Sequence, residues 1–274
     1  MQARNSKSMR PLDFFAAHLV FTHAEFVAAH TAGGRSEHTS NSLLAKHLAA
    51  GRLLRIRRGL YATVPTGLDP REASPDPYLV ATKLREDAVV AYHAALAYHG
   101  KAYSVWRRYQ YLTADRGRLF TFRGQEFVPV QAPLPVRSLP DFGGGVLVRP
   151  HMGGEVRVTT LERCLVDLLH ASEHGGGWEE IWRSLEMVEF FDLRAVVEYT
   201  LRLRSALTAA RVGFFLEQHR EEWMVEEKHL EPLLRSAPAQ PRYLSPRREP
   251  GRLVARWNLV VPEYVLHRRW EEPR

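Results

Sequence analysis

The chain has 274 residues, 45% apolar and 25% charged, which fits a globular protein of one large domain or two ordinary ones. Its longest apolar run, around Phe14 to Phe21, is interrupted by His18 and is far too short for a membrane span; Asp13 and His18 also spoil a secretory leader, so a cytoplasmic location is expected. The single cysteine, Cys164, excludes an intramolecular disulfide and a Cys-based zinc site. The net charge of +7 is uneven: residues 1–64 hold nine Lys/Arg against three acids, leaving 29 against 28 elsewhere. Basic charge gathered in one small region is an electrostatic footprint for phosphate backbone.

Phe14, Phe15, Ala17, His18 and Leu19 suggest a first helix after Pro11-Leu12-Asp13. Thr22-His23-Ala24-Glu25 is a capping-box pattern opening a second helix, with Phe26, Val27 and Ala29 available to a core. Gly33-Gly34 predicts a turn, Thr39 or Ser40 the cap of a third helix, and Leu44 and Leu48 its inward face. Gly51 supplies the stop. Leu53 to Ile56 and Leu60 to Val64 read as strands around Arg57-Arg58-Gly59, with Leu54, Ile56 and Tyr61 expected toward the helices. The pattern is that of a winged helix-turn-helix over residues 1–65. Such a module puts the start of its third helix near base edges and its hairpin on the backbone. Thr39, Ser40, Asn41, Ser42 and Lys46 on the helix, with Arg52, Arg55, Arg57 and Arg58 around the hairpin, are the candidate DNA contacts.

A Pro-rich connector, residues 66–77, leads to an α+β region over 78–274. Tyr78–Arg85 reads as helix, Ala88–Ala91 as a short strand and Ala94–Ala97 as helix. Strands are expected at Tyr109–Thr113, Leu119–Phe122, Glu126–Val130, Val146–Val148 and Val156–Val158. A helical tail follows. Thr160 caps Leu161 to His170, and Gly175-Gly176-Gly177 precedes a helix carrying Trp178 and Trp182. Further helices are expected from Asp192, from Thr208 and over Glu226–Arg235. Arg256–Pro262 reads as a late strand returning to the sheet. The fold class is therefore α+β, an N-terminal winged helix-turn-helix followed by a larger mixed domain with a helical tail.

Motif-borne catalysis finds little support. There is no G-x-S-x-G elbow, Walker loop or H-E-x-x-H, and Gly143-Gly144-Gly145 and Gly175-Gly176-Gly177 lack phosphate-cradle spacing. His93 and His99 are six apart, and His170 and His174 straddle a helix end. His219 and His229 have acids nearby, but on solvated helix faces. No catalytic residue, metal or cofactor is assigned. Asp115, Glu162 and Asp167 would have to converge for a metal nuclease. Trp178 and Trp182 fit core packing, and the acidic run from Glu217 to Glu231 a solvated face or a surface for a basic protein.

Leu48-Ala49-Ala50-Gly51-Arg52-Leu53 followed by Arg57-Arg58-Gly59-Leu60-Tyr61 resembles the N-terminal domain of the AbiEi family. Val90–Leu96 and Thr159-Thr160-Leu161-Glu162-Arg163-Cys164-Leu165-Val166-Asp167 are similar to that family's C-terminal region. AbiEi proteins are antitoxins of type IV toxin–antitoxin pairs. The resemblance implies a winged helix that binds inverted repeats in its own promoter and represses, as a monomer or weak dimer on double-stranded DNA. It also implies a C-terminal domain that counteracts a nucleotidyltransferase toxin, with no membrane association. Two other readings stand beside it: a nuclease or nucleotidyl-transfer enzyme delivered by a DNA-reading head, and a ligand-sensing regulator with a large apolar pocket.

Overall fold

The computed structural model describes residues 10–32 and 36–270; the expected Gly33-Gly34 turn lies outside the described residues. Pro11 occupies the first turn of α1 (Pro11–Ala17), where its missing N–H costs nothing. The helix ends before His18, so Leu19 falls outside it. β1 (Val20–Thr22) leads directly into α2 (His23–Thr31). At that junction the capping box forms as expected: Glu25 N–H donates to Thr22 Oγ1 (3.2 Å), and Thr22 N–H donates to Glu25 Oε2 (2.7 Å).

α3 (Glu37–Ala49) begins earlier than the sequence suggests. Its cap is Ser36, whose Oγ accepts from Thr39 N–H at 3.2 Å. β2 (Leu53–Arg57) and β3 (Leu60–Thr63) form the expected hairpin, and β1 adds to β3, giving an antiparallel sheet in the order β1-β3-β2. Gly59, at φ +78°, takes the turn.

The two faces of this sheet are buried against different partners. Leu53 and Tyr61 join Phe14, Phe15, Phe21, Phe26 and Leu44 beneath the helices, where Phe14 meets Phe21 and Phe26 edge-on at 5.1 and 5.3 Å. Val20, Ile56, Leu60 and Ala62 point the other way, into the core of the rest of the chain. Leu54 also packs on that second side, so of the three residues expected toward the helices only Tyr61 lies there. Each fully buried branched side chain contributes about 1.5–3 kcal/mol. Val20, Ile56 and Leu60 together make this a firm attachment.

That larger core is built on a six-stranded mixed sheet. α4 (Pro77–Lys83), β4 (Val89–Val90) and α5 (Tyr92–Tyr98) are followed by β5 (Arg108–Thr113), β6 (Phe120–Phe122), β7 (Gln125–Gln131), β8 (Val146–His151) and β9 (Gly154–Thr159). The strand order is β6-β7-β5-β4-β9-β8. Val89 and Val90 point to opposite faces and both are fully buried, so the centre of the sheet is covered on both sides. α4 packs on β4, β5 and β9 and also touches β1; α5 packs on β5, β9 and the next helix.

The helical layer comprises α6 (Leu161–His170), α7 (Trp178–Glu186), α8 (Leu193–Arg202), α9 (Ala206–Gln218) and α10 (Glu227–Ser236). Thr160 and Asp192 cap α6 and α8 as expected. α9 instead starts from Ser205, and Thr208 is the residue whose N–H that cap receives. The chain ends in β10 (Arg242–Tyr243), β11 (Arg252–Val254), β12 (Leu259–Val261) and α11 (Glu263–Leu266). The late strand was expected to rejoin the main sheet. It lies instead at the centre of a separate small sheet, β10-β12-β11. The fold is mixed α+β, and among the described residues no helix is long and apolar enough to cross a membrane.

Candidate nucleic-acid interface

α3 turns Leu44 and His47 inward and leaves Thr39, Asn41, Ser42 and Lys46 exposed. Ser40 does not belong with them. It is fully buried, and its hydroxyl donates back to the Ser36 carbonyl at 3.3 Å, so its expected role as a base contact is corrected. The reason is geometric: a helix starting at Glu37 places position 40 one turn before Leu44 on the same face. His47 packs edge-on against Phe15 at 4.8 Å. Burial lowers the pKa of its imidazole, and Arg52 and Lys46 add to the effect.

The hairpin arginines Arg52, Arg55, Arg57 and Arg58 are all exposed. Arg55 lies opposite Tyr61 on the helix side of β2, the edge strand. The ladder then shifts register between Arg55 and Arg57. Arg57 also has a partner within the chain: its Nη2 donates to the carbonyl oxygen of Leu84, the residue that ends α4. It therefore braces the hairpin on the larger core while remaining exposed. One further contact braces the same junction: Lys83 donates to Glu25 Oε1. Gly153 also runs close to α1, where an added Cβ would lie 3.2 Å from the Ala17 carbonyl oxygen. Burial raises the Glu25 pKa, but the bonds from Lys83 and Thr22 outweigh it and hold the carboxyl below its usual range.

His23 joins the exposed parts into one surface. Its backbone N–H donates to the Gly59 carbonyl at the hairpin turn (2.8 Å), and its Nε2 donates to Asn41 Oδ1 on α3 (2.6 Å). The hairpin turn, the N-terminus of α2 and the polar face of α3 are thus contiguous. In the sequence pattern His23 stands only between the two ends of the capping box. Its position at the first residue of α2 was the available signal, since that end of a second helix abuts the third.

The remaining candidates resolve as structural groups. Asp167 is fully buried, receiving Arg163 Nε (3.2 Å) and the Tyr199 hydroxyl (2.9 Å). Glu162 accepts the Asp192 N–H at 3.3 Å, and Asp115 is exposed, 3.8 Å from Arg85. The three acids are not gathered into one cleft, and among the described residues no group of three or more His, Cys, Asp or Glu is placed to hold a metal. His93 stacks on Trp106 at 3.7 Å and meets Glu180 at 3.0 Å, His99 meets the Thr159 carbonyl, and His170 meets Thr208. Cys164 is buried, which pushes its thiol up to about 12 and leaves it unreactive. Trp178 and Trp182 are core residues.

The carbonyls of Gly143 and Gly144 accept from Arg202 and Arg163, so that glycine turn holds protein groups rather than presenting amides to a phosphate. Much of the acidic run is neutralised within the chain. Glu217 pairs with Arg256 (3.0 Å), Glu227 with Arg220 (2.9 Å) and Glu226 with Lys228 (2.7 Å). A groove of about 990 Å³ near the C-terminal strands is lined by Glu179, Glu249, Glu263, Tyr264, His267 and Trp270, a charged and aromatic wall.

No family model matches the sequence, and no curated protein matches it. Among solved structures, the crystal structure of the RV2827C protein from Mycobacterium tuberculosis is similar, with a TM-score of 0.55 and 18% identity over 94% of this chain and 91% of that one. At that identity the likeness shows a shared fold.

Proposed function

We propose that the unit from α1 to β3 is a winged helix-turn-helix that binds double-stranded DNA, and that the protein is a transcriptional repressor of its own promoter. The observation that carries this reading is the contiguity of three elements: the open polar face of α3, the N-terminus of α2 and the Arg58 hairpin turn, joined through His23. α3 supplies short polar side chains and one amide for base edges, and Arg52, Arg55 and Arg58 supply charge for phosphates. The fixed attachment of the sheet to the larger core makes the DNA-reading surface and the rest of the chain one unit. In this reading the larger region is the antitoxin part, acting on a nucleotidyltransferase toxin as the AbiEi resemblance implies.

The test is fluorescence anisotropy with duplexes from the chain's own upstream region against scrambled duplexes, over 50–300 mM salt. Binding that favours the upstream duplex and weakens steeply with salt supports the reading. Equal or absent binding to both duplexes overturns it. Co-expression with a neighbouring nucleotidyltransferase gene tests the antitoxin part: growth must be restored by this chain and not by its empty vector.

A further inference from the structure

We infer that His23 is a specificity-positioning residue that orients Asn41 to read guanine. The inference rests on the DNA-binding reading above and concerns the chemistry of a single contact. Asn41 is exposed on α3, and its carboxamide is the only side-chain amide among the candidate base-reading positions of that helix. An amide has an acceptor end and a donor end, and the two ends select different bases. Here the acceptor end is turned toward α2. His23 Nε2 lies 2.6 Å from Asn41 Oδ1, so the ring donates and the amide oxygen turns toward α2. Asn41 Nδ2, with its two N–H groups, is then the end left for a partner.

The familiar asparagine contact to adenine uses both ends, with Oδ1 accepting from N6 and Nδ2 donating to N7. That contact needs Oδ1 and Nδ2 to face one base together, and the bond from His23 draws Oδ1 toward α2 instead. A donor-only amide suits the base edge with two adjacent acceptors, the N7 and O6 of guanine. His23 is itself fixed, because its backbone N–H is bonded to the Gly59 carbonyl and its residue opens α2 from the Thr22 cap. The imidazole therefore acts as a clamp that chooses which face of Asn41 the duplex meets. His23 need not touch DNA to do so.

The experiment is selection from a randomised duplex library followed by anisotropy on single-base variants, using the full chain. Wild type is expected to prefer guanine over adenine at one position by about tenfold. His23→Ala frees the amide to turn over, and the preference should fall to within about twofold. His23→Gln, which keeps a side-chain N–H donor, should restore it. Asn41→Ala should abolish the preference with His23 intact, and His23→Phe, which keeps a ring but has no N–H to donate, should lower it as His23→Ala does and keeps the test valid if His23→Ala fails to fold. A wild-type chain that binds its duplex with an unchanged preference in His23→Ala overturns the clamp alone. A wild-type chain that binds no duplex overturns the DNA-binding reading and the clamp together.

Discussion

Arg57 and Arg58 are neighbours in sequence and should behave differently when removed. Arg58 is exposed beside the Gly59 turn, whereas Arg57 donates to the Leu84 carbonyl across the junction with α4. A hydrogen bond involving a charged group contributes about 1.5–3 kcal/mol when buried. This one is partly solvated, so about 1–2 kcal/mol is expected for Arg57→Ala. For a chain of this size that corresponds to a fall in melting temperature of roughly 2–6 °C. Arg58→Ala should leave the melting temperature within about 1 °C and, on the proposed DNA-binding function, remove one phosphate contact. The slope of log affinity against log salt would then fall by about 0.9, equally for specific and scrambled duplexes. The assays are a thermal melt of each variant and anisotropy across a salt series. If Arg57→Ala lowered the salt slope as much as Arg58→Ala and left the melt unchanged, the assignment of Arg57 as a strut would be wrong.

Asp167 lies fully buried between Arg163 and the Tyr199 hydroxyl, so Asp167→Ala strands a buried guanidinium and should cost about 3–5 kcal/mol in denaturant unfolding, with DNA affinity of the folded fraction unchanged. Arg211 donates to the carbonyls of Leu169, His170 and Leu244, pinning the end of α6 to the C-terminal strands, and burial lowers its pKa to about 10. Arg211→Met leaves those carbonyls without their donor; a drop in the denaturant midpoint at constant slope, worth about 2–4 kcal/mol, is the expected outcome. Burial lowers the pKa values of His47, His93, His170 and His174 below the ordinary 6.5. The unfolded chain takes up those protons first, so their contribution to stability is complete above about pH 6.5 and is lost as pH falls through the lowered folded values. Unfolding midpoints measured from pH 8 to pH 5 should decline on the acid side, and a flat profile would contradict the neutral burial of these rings.

The local features were readable because each is decided within a few residues. The Thr22 capping box, the Thr160 and Asp192 caps and the hairpin around Gly59 all appear where the sequence places them. Two helix starts were misplaced by the same ambiguity. Ser36 precedes Thr39 by three residues, and Ser205 precedes Thr208 by three. In both cases a hydroxyl residue at the third helical position donates its N–H to the true cap, so either residue fits the pattern until the bond is seen.

Sequence alone determined where the strands and most helices run and where the positive charge gathers, since periodicity and composition are properties of the local chain. Tertiary packing decided what each face meets. A strand always has two faces, and only the presence of α4 and the six-stranded sheet explains why Ile56 and Leu60 turn away from the helices and why Arg57 finds a partner at Leu84, while the packing of α2 on α3 brings His23 to Asn41 across eighteen positions. Contacts between segments far apart in the chain leave no periodic trace in the segments themselves.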